Sequence, residues 1–298
     1  MMNNGRRHRV RVTLTALTGV LALALAGCGT ETTPPAPTPS AVPTTAPSVG
    51  SGTGGGAVSI AIPGSLAADF GALQQGTRGS IGLAITPVGG AQLVSFGTWT
   101  TGPAWSTIKV PLAVAAVRNN AAYASSASAA ITASDNAAAD TLWSSLGNAT
   151  TAAAAVEEVL REGGDVGTTV PTTRTRADAS VFGQAQWSLA DQARFAAQLP
   201  CLPRSERVVG LMSQIIPSHR WGLGAIGSAE FKGGWGPDES GKYLVRQFGL
   251  IDSPTGRIAI AFAAQPDSGS FTDGMAMLDK MTTLISGHLS ELTGGHCP

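Results

Sequence analysis

Apolar residues along the chain recur with two periods, and the order in which those periods alternate predicts the architecture. Leu66, Phe70 and Leu73 fall on one helical face behind Ser65, a helix-capping residue type, so a short helix is expected there. Residues 80–87 and 91–99 read as two strands, with Gly89-Gly90 supplying the hairpin turn. Past Gly102-Pro103 the spacing becomes helical, first through alanine-rich helices to about Glu162, then over residues 189–199 and 204–216. Strand character returns over residues 228–233, 243–251 and 257–264, separated by turn-forming stretches at 236–241 and 252–256. Phe271, Met275, Leu278, Met281, Ile285 and Leu289 then follow at intervals of three and four, a long amphipathic helix suited to covering a sheet.

In front of these elements stand Arg6, Arg7, Arg9 and Arg11, an apolar run over residues 12–26, and the sequence Leu25-Ala26-Gly27-Cys28. Basic residues before a short apolar run read as an export signal. The run is shorter than the ~20 residues a membrane-crossing helix needs. Leu-Ala-Gly-Cys resembles a bacterial lipobox, so residues 1–27 are expected to be a lipoprotein signal peptide and Cys28 the lipidated residue. That puts the protein on the extracytoplasmic face of the cell membrane; a soluble secreted protein is the alternative. Residues around Arg6-Arg7 do not fit twin-arginine export. Residues 28–57 are a Pro/Thr/Ser/Gly-rich linker with too little apolar surface to offset chain entropy. Its proline-rich part is stiff and its glycine-rich part flexible, as a tether requires. Residues 58–298 suit one domain, or one domain with a helical subdomain.

Charge changes the picture little. The 19 basic and 19 acidic residues balance, and removing the four arginines of residues 1–27 leaves 15 against 19, a net −4. Nothing in that balance calls for nucleic acid. Of the three cysteines, Cys201 and Cys297 remain beyond Cys28, and in an oxidising compartment they are expected to form one disulfide. Neither has an obvious partner base for thiol catalysis. No His, Cys and carboxylate spacing suggests a metal site, and no cofactor is implied.

The candidate chemistry lies in three short motifs: Ser106-Thr107-Ile108-Lys109, Ser134-Asp135-Asn136, and Lys232-Gly233-Gly234. A hydroxyl three residues before a lysine shares its helical face, so a neutral Lys109 could take the proton of Ser106. The chain has only four lysines, and two of them fall in these motifs. Lys109 is expected to be uncharged and to touch the Ser106 oxygen, in a crevice shared with Ser134 and Lys232. Burial and a nearby cation, for which Lys232 is the candidate, would have to lower its pKa by about three units. Pro111 either kinks the Ser106 helix or sits in its first turns, where it costs less.

In their order these motifs resemble S-x-x-K, S-D-N and K-T-G of the class A β-lactamases and penicillin-binding proteins. The flanks 105–112 and 129–140 are similar as well. The resemblance spans residues 58–298 and implies an α+β, three-layer sandwich. Its antiparallel five-stranded sheet is flanked by helices, and an all-helical subdomain is attached. It also implies a Ser106 acyl-enzyme, with the backbone N–H groups of Ser106 and Trp235 as oxyanion hole. Ser134 would relay a proton to the leaving group, Asn136 would hold Lys109 and a substrate amide, and Lys232 would attract a carboxylate. Gly233, Gly234 and Trp235 would line the substrate, while Asp135 reads as a structural acceptor.

Three departures from the family stand out. Gly233 replaces the usual Thr or Ser, deleting a hydroxyl that helps hold a substrate carboxylate. Residues 172–186 contain no glutamate to activate the deacylating water; Asp178 is the only carboxylate there, with Arg174 and Arg176 as candidate partners. The 28 residues from Ser106 to Ser134 are fewer than the family's usual spacing, which should open one cleft wall. Residues 222–227 match G-x-G-x-x-G but lead into a strand pattern, and residues 236–242 imitate a phosphate loop until Tyr243 stands where Ser or Thr is required. His219 reads as a loop histidine and Trp221 as a packing residue or a stacking surface. The expected activity is a serine hydrolase acting on a β-lactam or related amide or ester, with a small-molecule or peptidoglycan-like substrate, as a monomer. The alternatives are a slow-deacylating penicillin-binding or D,D-peptidase-like protein, and a non-catalytic envelope binding module.

Overall fold

The computed structural model describes residues 64–298. The expected signal peptide, the linker 28–57 and the lipidation site Cys28 lie outside the described residues. The first helix, α1 (Leu66–Gln75), packs Leu66 and Phe70 inward as the spacing predicts. Ser65 stands at its N-cap but makes no side-chain capping bond, contrary to expectation; the Leu66 amide donates to Glu291 Oε2 at 3.2 Å instead. A tertiary carboxylate has replaced the local cap.

The hairpin follows as β1 (Gly79–Pro87) and β2 (Val94–Gly97), with Gly89 in the left-handed region at φ 70°. A three-residue strand, β3 (Thr101–Pro103), leads into a 3₁₀ turn, Trp105–Ile108, and then α2 (Lys109–Asn119). Pro111 is the third residue of α2, where its missing N–H is one that has no intrahelical partner anyway. The helical lobe continues with α3 (Ala124–Thr132), α4 (Asn136–Ser145) and α5 (Ala149–Glu162). Next comes β4 (Gln186–Ser188), which pairs antiparallel with β3 in a small ribbon that the apolar pattern did not reveal. Helix α6 (Leu189–Gln198) matches expectation, whereas α7 (Glu206–Met212) is about half as long as the spacing predicts.

The sheet resumes with β5 (Glu230–Pro237), β6 (Tyr243–Ser253) and β7 (Gly256–Pro266), and the chain then enters α8 (Phe271–Gly287). In α8 Met277, Leu278, Met281 and Ile285 are buried, while Phe271 and Met275 are only half-buried and Leu289 belongs to a separate 3₁₀ turn. The five strands are ordered β2-β1-β7-β6-β5 with every neighbouring pair antiparallel. This is the expected α+β sandwich.

Successive residues of a strand point to opposite faces, and two neighbours on β6 show what covers each. Val245 meets Gly274 of α8, while the side chain of Arg246 reaches Gln192 of α6. Arg246 is fully buried, donating to the carbonyls of Gly102, Pro103 and Trp187 and to Gln192 Oε1 at 2.8–3.1 Å. Gln192 in turn donates to Thr107 Oγ1 at 3.0 Å, and Thr107 Oγ1 donates to Ala104 O at 2.5 Å. This chain of bonds joins the sheet to the underside of the Trp105–Ile108 turn. Cys201 and Cys297 form a disulfide, Cα atoms 5.3 Å apart, tying the C-terminus to the segment after α6.

Replacing Arg246 by methionine leaves three carbonyls and Gln192 without their donor. An unmade buried hydrogen bond costs ~1–3 kcal/mol, so Arg246→Met is expected to destabilise the fold by about 3 kcal/mol or more. In a domain of this size that lowers the melting temperature by about 6–12 °C in a thermal unfolding scan.

Candidate active site

Ser106 lies in the 3₁₀ turn and Lys109 begins α2. Residues i and i+3 eclipse in 3₁₀ geometry, so the two side chains stack on one face. Trp105, just before the serine, has φ 49°, and Ser134 has φ 56°. Left-handed backbone at a residue with a side chain costs on the order of 1–3 kcal/mol. The packing sustains it at Trp105, because the Arg176 guanidinium covers the ring at 5.5 Å and the ring lies tight on Gly236, where an added Cβ would come within 2.5 Å of it.

Ser134 and Asp135 do not lie inside a helix as the sequence suggests; they fall in the break between α3 and α4, and Asn136 is the first residue of α4. Asp135 restarts the chain as N-cap, its carboxylate accepting from the Ala138 amide at 2.7 Å. That is the structural acceptor role expected of it. The break exposes the Ser134 carbonyl, which in an uninterrupted helix would be taken by a backbone amide.

Lys109 uses this acceptor. Its Nζ donates to Ser134 O at 2.6 Å and to Asn136 Oδ1 at 2.7 Å, with Ser134 Oγ farther at 3.4 Å. Among the hydrogen bonds of the described residues none joins Lys109 to Ser106, so the expected direct contact gives way to a lysine anchored on the α3–α4 break. Lys232, on β5, approaches from the other side and donates to Ser134 Oγ at 3.0 Å and to Gly233 O at 2.7 Å. Both amines are almost wholly buried, at 1 % and 2 % exposure. Burial lowers Lys109 to about 8, with Asp135 and Asp140 pulling the other way. Burial, one of the two expected causes, carries that fall, and Lys232, the expected cation, is not among its causes. Lys232 itself is pushed well below the usual lysine range, first by burial and then by Lys109.

Strand β5 is the sheet edge beside the serine, and it comes close only because Gly234 has no side chain. A Cβ there would stand 2.9 Å from Ala104 O and from the Ser106 and Thr107 amides. Gly233 and Trp235 flank it on the same strand. The two lysines, Ser134 and Asn136 thus form one polar cluster, with Ser106 three residues before Lys109, and a cavity of about 380 Å³ opens on Ser106, Asn136 and Trp235.

The cavity's far wall belongs to the segment 172–186, expected there for its missing glutamate but with no local sign of how it is held. Gln184 holds it together, accepting from the Thr175 and Arg176 amides and donating to Ser180 O at 3.1 Å. Asp178 pairs with Arg176, bonding Nε at 3.2 Å and Nη2 at 2.7 Å, and this holds its pKa below the usual aspartate value. Arg174, Asp140 and Tyr243 also line the cavity. Asp140 was legible in principle, four residues after Asn136 on one helical face; Gln184 and Tyr243 carried no local signal.

No family model and no curated protein matches the sequence. Solved structures do. The reconstructed last common ancestor of Gram-negative class A β-lactamases superposes with a TM-score of 0.57 at 18% identity, covering 75% of this chain and 99% of its own. A second ancestral class A enzyme gives 0.58 at 17%, covering 74% and 99%. A Rhodopseudomonas palustris protein described as a class A β-lactamase gives 0.59 at 15%, covering 75% and 99%. The sandwich, its strand order and these superpositions agree, and the chain has the fold of the class A β-lactamases.

Proposed function

We propose that the protein is an exported serine hydrolase that forms an acyl-enzyme on Ser106 from a β-lactam or a related amide or ester, and releases it slowly. The observation that carries this reading is the pair of buried amines meeting at the Ser134 hydroxyl, one 3₁₀ turn from Ser106. A neutral amine has two N–H donors and one lone pair. On a neutral Lys109 the two short bonds, to Ser134 O and Asn136 Oδ1, would use both donors, so that its lone pair could accept the Ser106 proton once the serine hydroxyl turns toward it. Ser134 Oγ, touching both lysines, offers a path for that proton to the leaving group.

The developing oxyanion would meet the Ser106 and Trp235 amides, an arrangement favoured by edge strand β5 packing through Gly234 onto the Ser106 amide. Each such donor is typically worth ~3–4 kcal/mol in the transition state. Slow release follows from the loop, whose only carboxylate, Asp178, is tied to Arg176 and weakened as a base. This favours penicillin-binding-like behaviour over rapid turnover. A non-catalytic binding module is less well supported, since a scaffold gains nothing from burying two amines side by side against their desolvation. Anchoring through Cys28 at the extracytoplasmic membrane face, and action as a monomer on a small or peptidoglycan-like substrate, complete the proposal.

Intact mass measurement after treatment with a fluorophosphonate should show one adduct, absent in Ser106→Ala. With 4-nitrophenyl acetate, release of about one equivalent of nitrophenol should precede a slower steady state. An unlabelled wild-type protein would sink the proposal.

The pH dependence has a definite sign. Only neutral Lys109 is active, and with its pKa at about 8 the acylation rate should climb roughly tenfold per pH unit below that value and level off above it. The unfolded chain keeps this proton to about 10.5, so folding stability should rise with pH between about 8 and 10.5. Stopped-flow labelling and denaturant titrations across pH 6 to 10 check the two halves.

A further inference from the structure

A cluster of aromatic rings lies behind the Trp235 side of the cleft. Trp221 packs edge-on against Trp235, ring centroids 5.8 Å apart, and Phe271 contacts both of them as well as Tyr243. His219 adds its ring edge to Trp235 at 5.0 Å. Trp235 and Tyr243 carry this surface into the cavity that opens on Ser106.

Trp221 occupies the space that a side chain on residue 233 would need. A Cβ on Gly233 would stand 3.1 Å from Cη2 and 3.2 Å from Cζ2 of the indole. The indole is held in place by its neighbours. Gln247, paired across β5–β6 with Gly233, donates to Trp221 O at 2.7 Å and accepts from the Leu223 amide at 2.9 Å. The Gly222 amide donates to Asp279 Oδ1 at 2.6 Å. Both the missing hydroxyl and the ring in its place are therefore parts of one arrangement.

Lys232 offers no free charge to this side of the cleft, since its amine is turned onto Ser134 Oγ and Gly233 O and is 2 % exposed. His219 is lowered from its usual value by burial, then by Lys232 and Lys109. The charged side chains lining the cavity, Arg174, Asp140 and Asp178, stand on the α4 and 172–186 side, and Asp178 is already paired with Arg176.

Resting on the acyl-enzyme reading above and narrowing its substrates away from carboxylate-bearing β-lactams and peptides, we infer that the substrate is an uncharged ester or amide bearing an aromatic or branched apolar group, and that the Trp221–Gly233 contact selects against a carboxylate beside the scissile bond. In the reaction Ser106 Oγ bonds to the carbonyl carbon, the carbon–oxygen or carbon–nitrogen bond to the leaving group breaks, and the serine proton ends on the departing alcohol or amine. Water then cleaves the acyl-serine bond and yields the carboxylic acid.

The test uses two esters of phenylacetic acid on the full-length protein: one with 3-hydroxybenzoic acid, whose carboxylate is free, and one with its methyl ester. The uncharged ester should be cleaved with a kcat/KM at least tenfold higher. In Trp221→Ala/Gly233→Thr, with fluorophosphonate labelling confirming an intact site, the preference should shrink toward parity or reverse. If the unaltered protein is labelled on Ser106 yet takes the carboxylate ester equally well or better, this inference falls and the acyl-enzyme reading stands. If Ser106 is not labelled at all, both fall. The comparison on the unaltered protein decides by itself should the double variant fail to fold.

Discussion

The arrangement around Ser106 depends on a helix that stops. Lys109 can be held by the Ser134 carbonyl only because α3 ends at Thr132 and α4 does not begin until Asn136, leaving that carbonyl free of the helical ladder. Left-handed backbone at Ser134 makes the break, and the Asp135 cap restarts the helix within two residues. The same turn aims the Ser134 hydroxyl between the two lysines. Local strain and the desolvation of two amines are thus concentrated at one point, which the rest of the domain must over-determine.

Much of that support comes from below the serine. Arg246 gathers the carbonyls of Gly102, Pro103 and Trp187, all close to the β3–β4 ribbon, and passes its hold through Gln192 and Thr107 to the Ser106 turn. It makes no ion pair among the described residues, its ring partner is Trp99 at 5.3 Å, and burial lowers it to about 9. A buried cation with hydrogen-bond partners but no counter-charge adds little net stability. It fixes geometry, in keeping with its place on β6 directly across from Gly234.

What the sequence made legible follows from the range of each interaction. Strands β1, β6 and β7 and helix α8 announced themselves because their apolar spacing repeats over many residues, and the serine–lysine pair because three residues separate its members. Of the partners of Lys109, Asn136 was expected through the resemblance alone, while the Ser134 carbonyl was hidden by distance, since Ser134 lies 25 residues on and becomes an acceptor only through an irregular turn. Ser65 misled for the same reason: a capping residue type predicts a local bond, and Glu291, 225 residues away from Leu66, supplied the acceptor. Short pairings such as β3 with β4, and a loop organised by the single Gln184 side chain, leave no periodic trace.

The loop shows how positioning and reactivity compete for the same groups. Arg176 lies over Trp105, donates to Pro237 O at the end of β5, and closes on Asp178, so one guanidinium links the serine turn, the edge strand and the loop. A carboxylate that completes such a clamp is held ionised and spent on hydrogen bonds, and it has less basicity left for activating water. Releasing Asp178 for that purpose would loosen Arg176 from the ring of Trp105, whose left-handed backbone places Ser106. On the proposed acyl-enzyme reading, the contacts that position Ser106 are therefore the ones that withhold a base from hydrolysis of its acyl group.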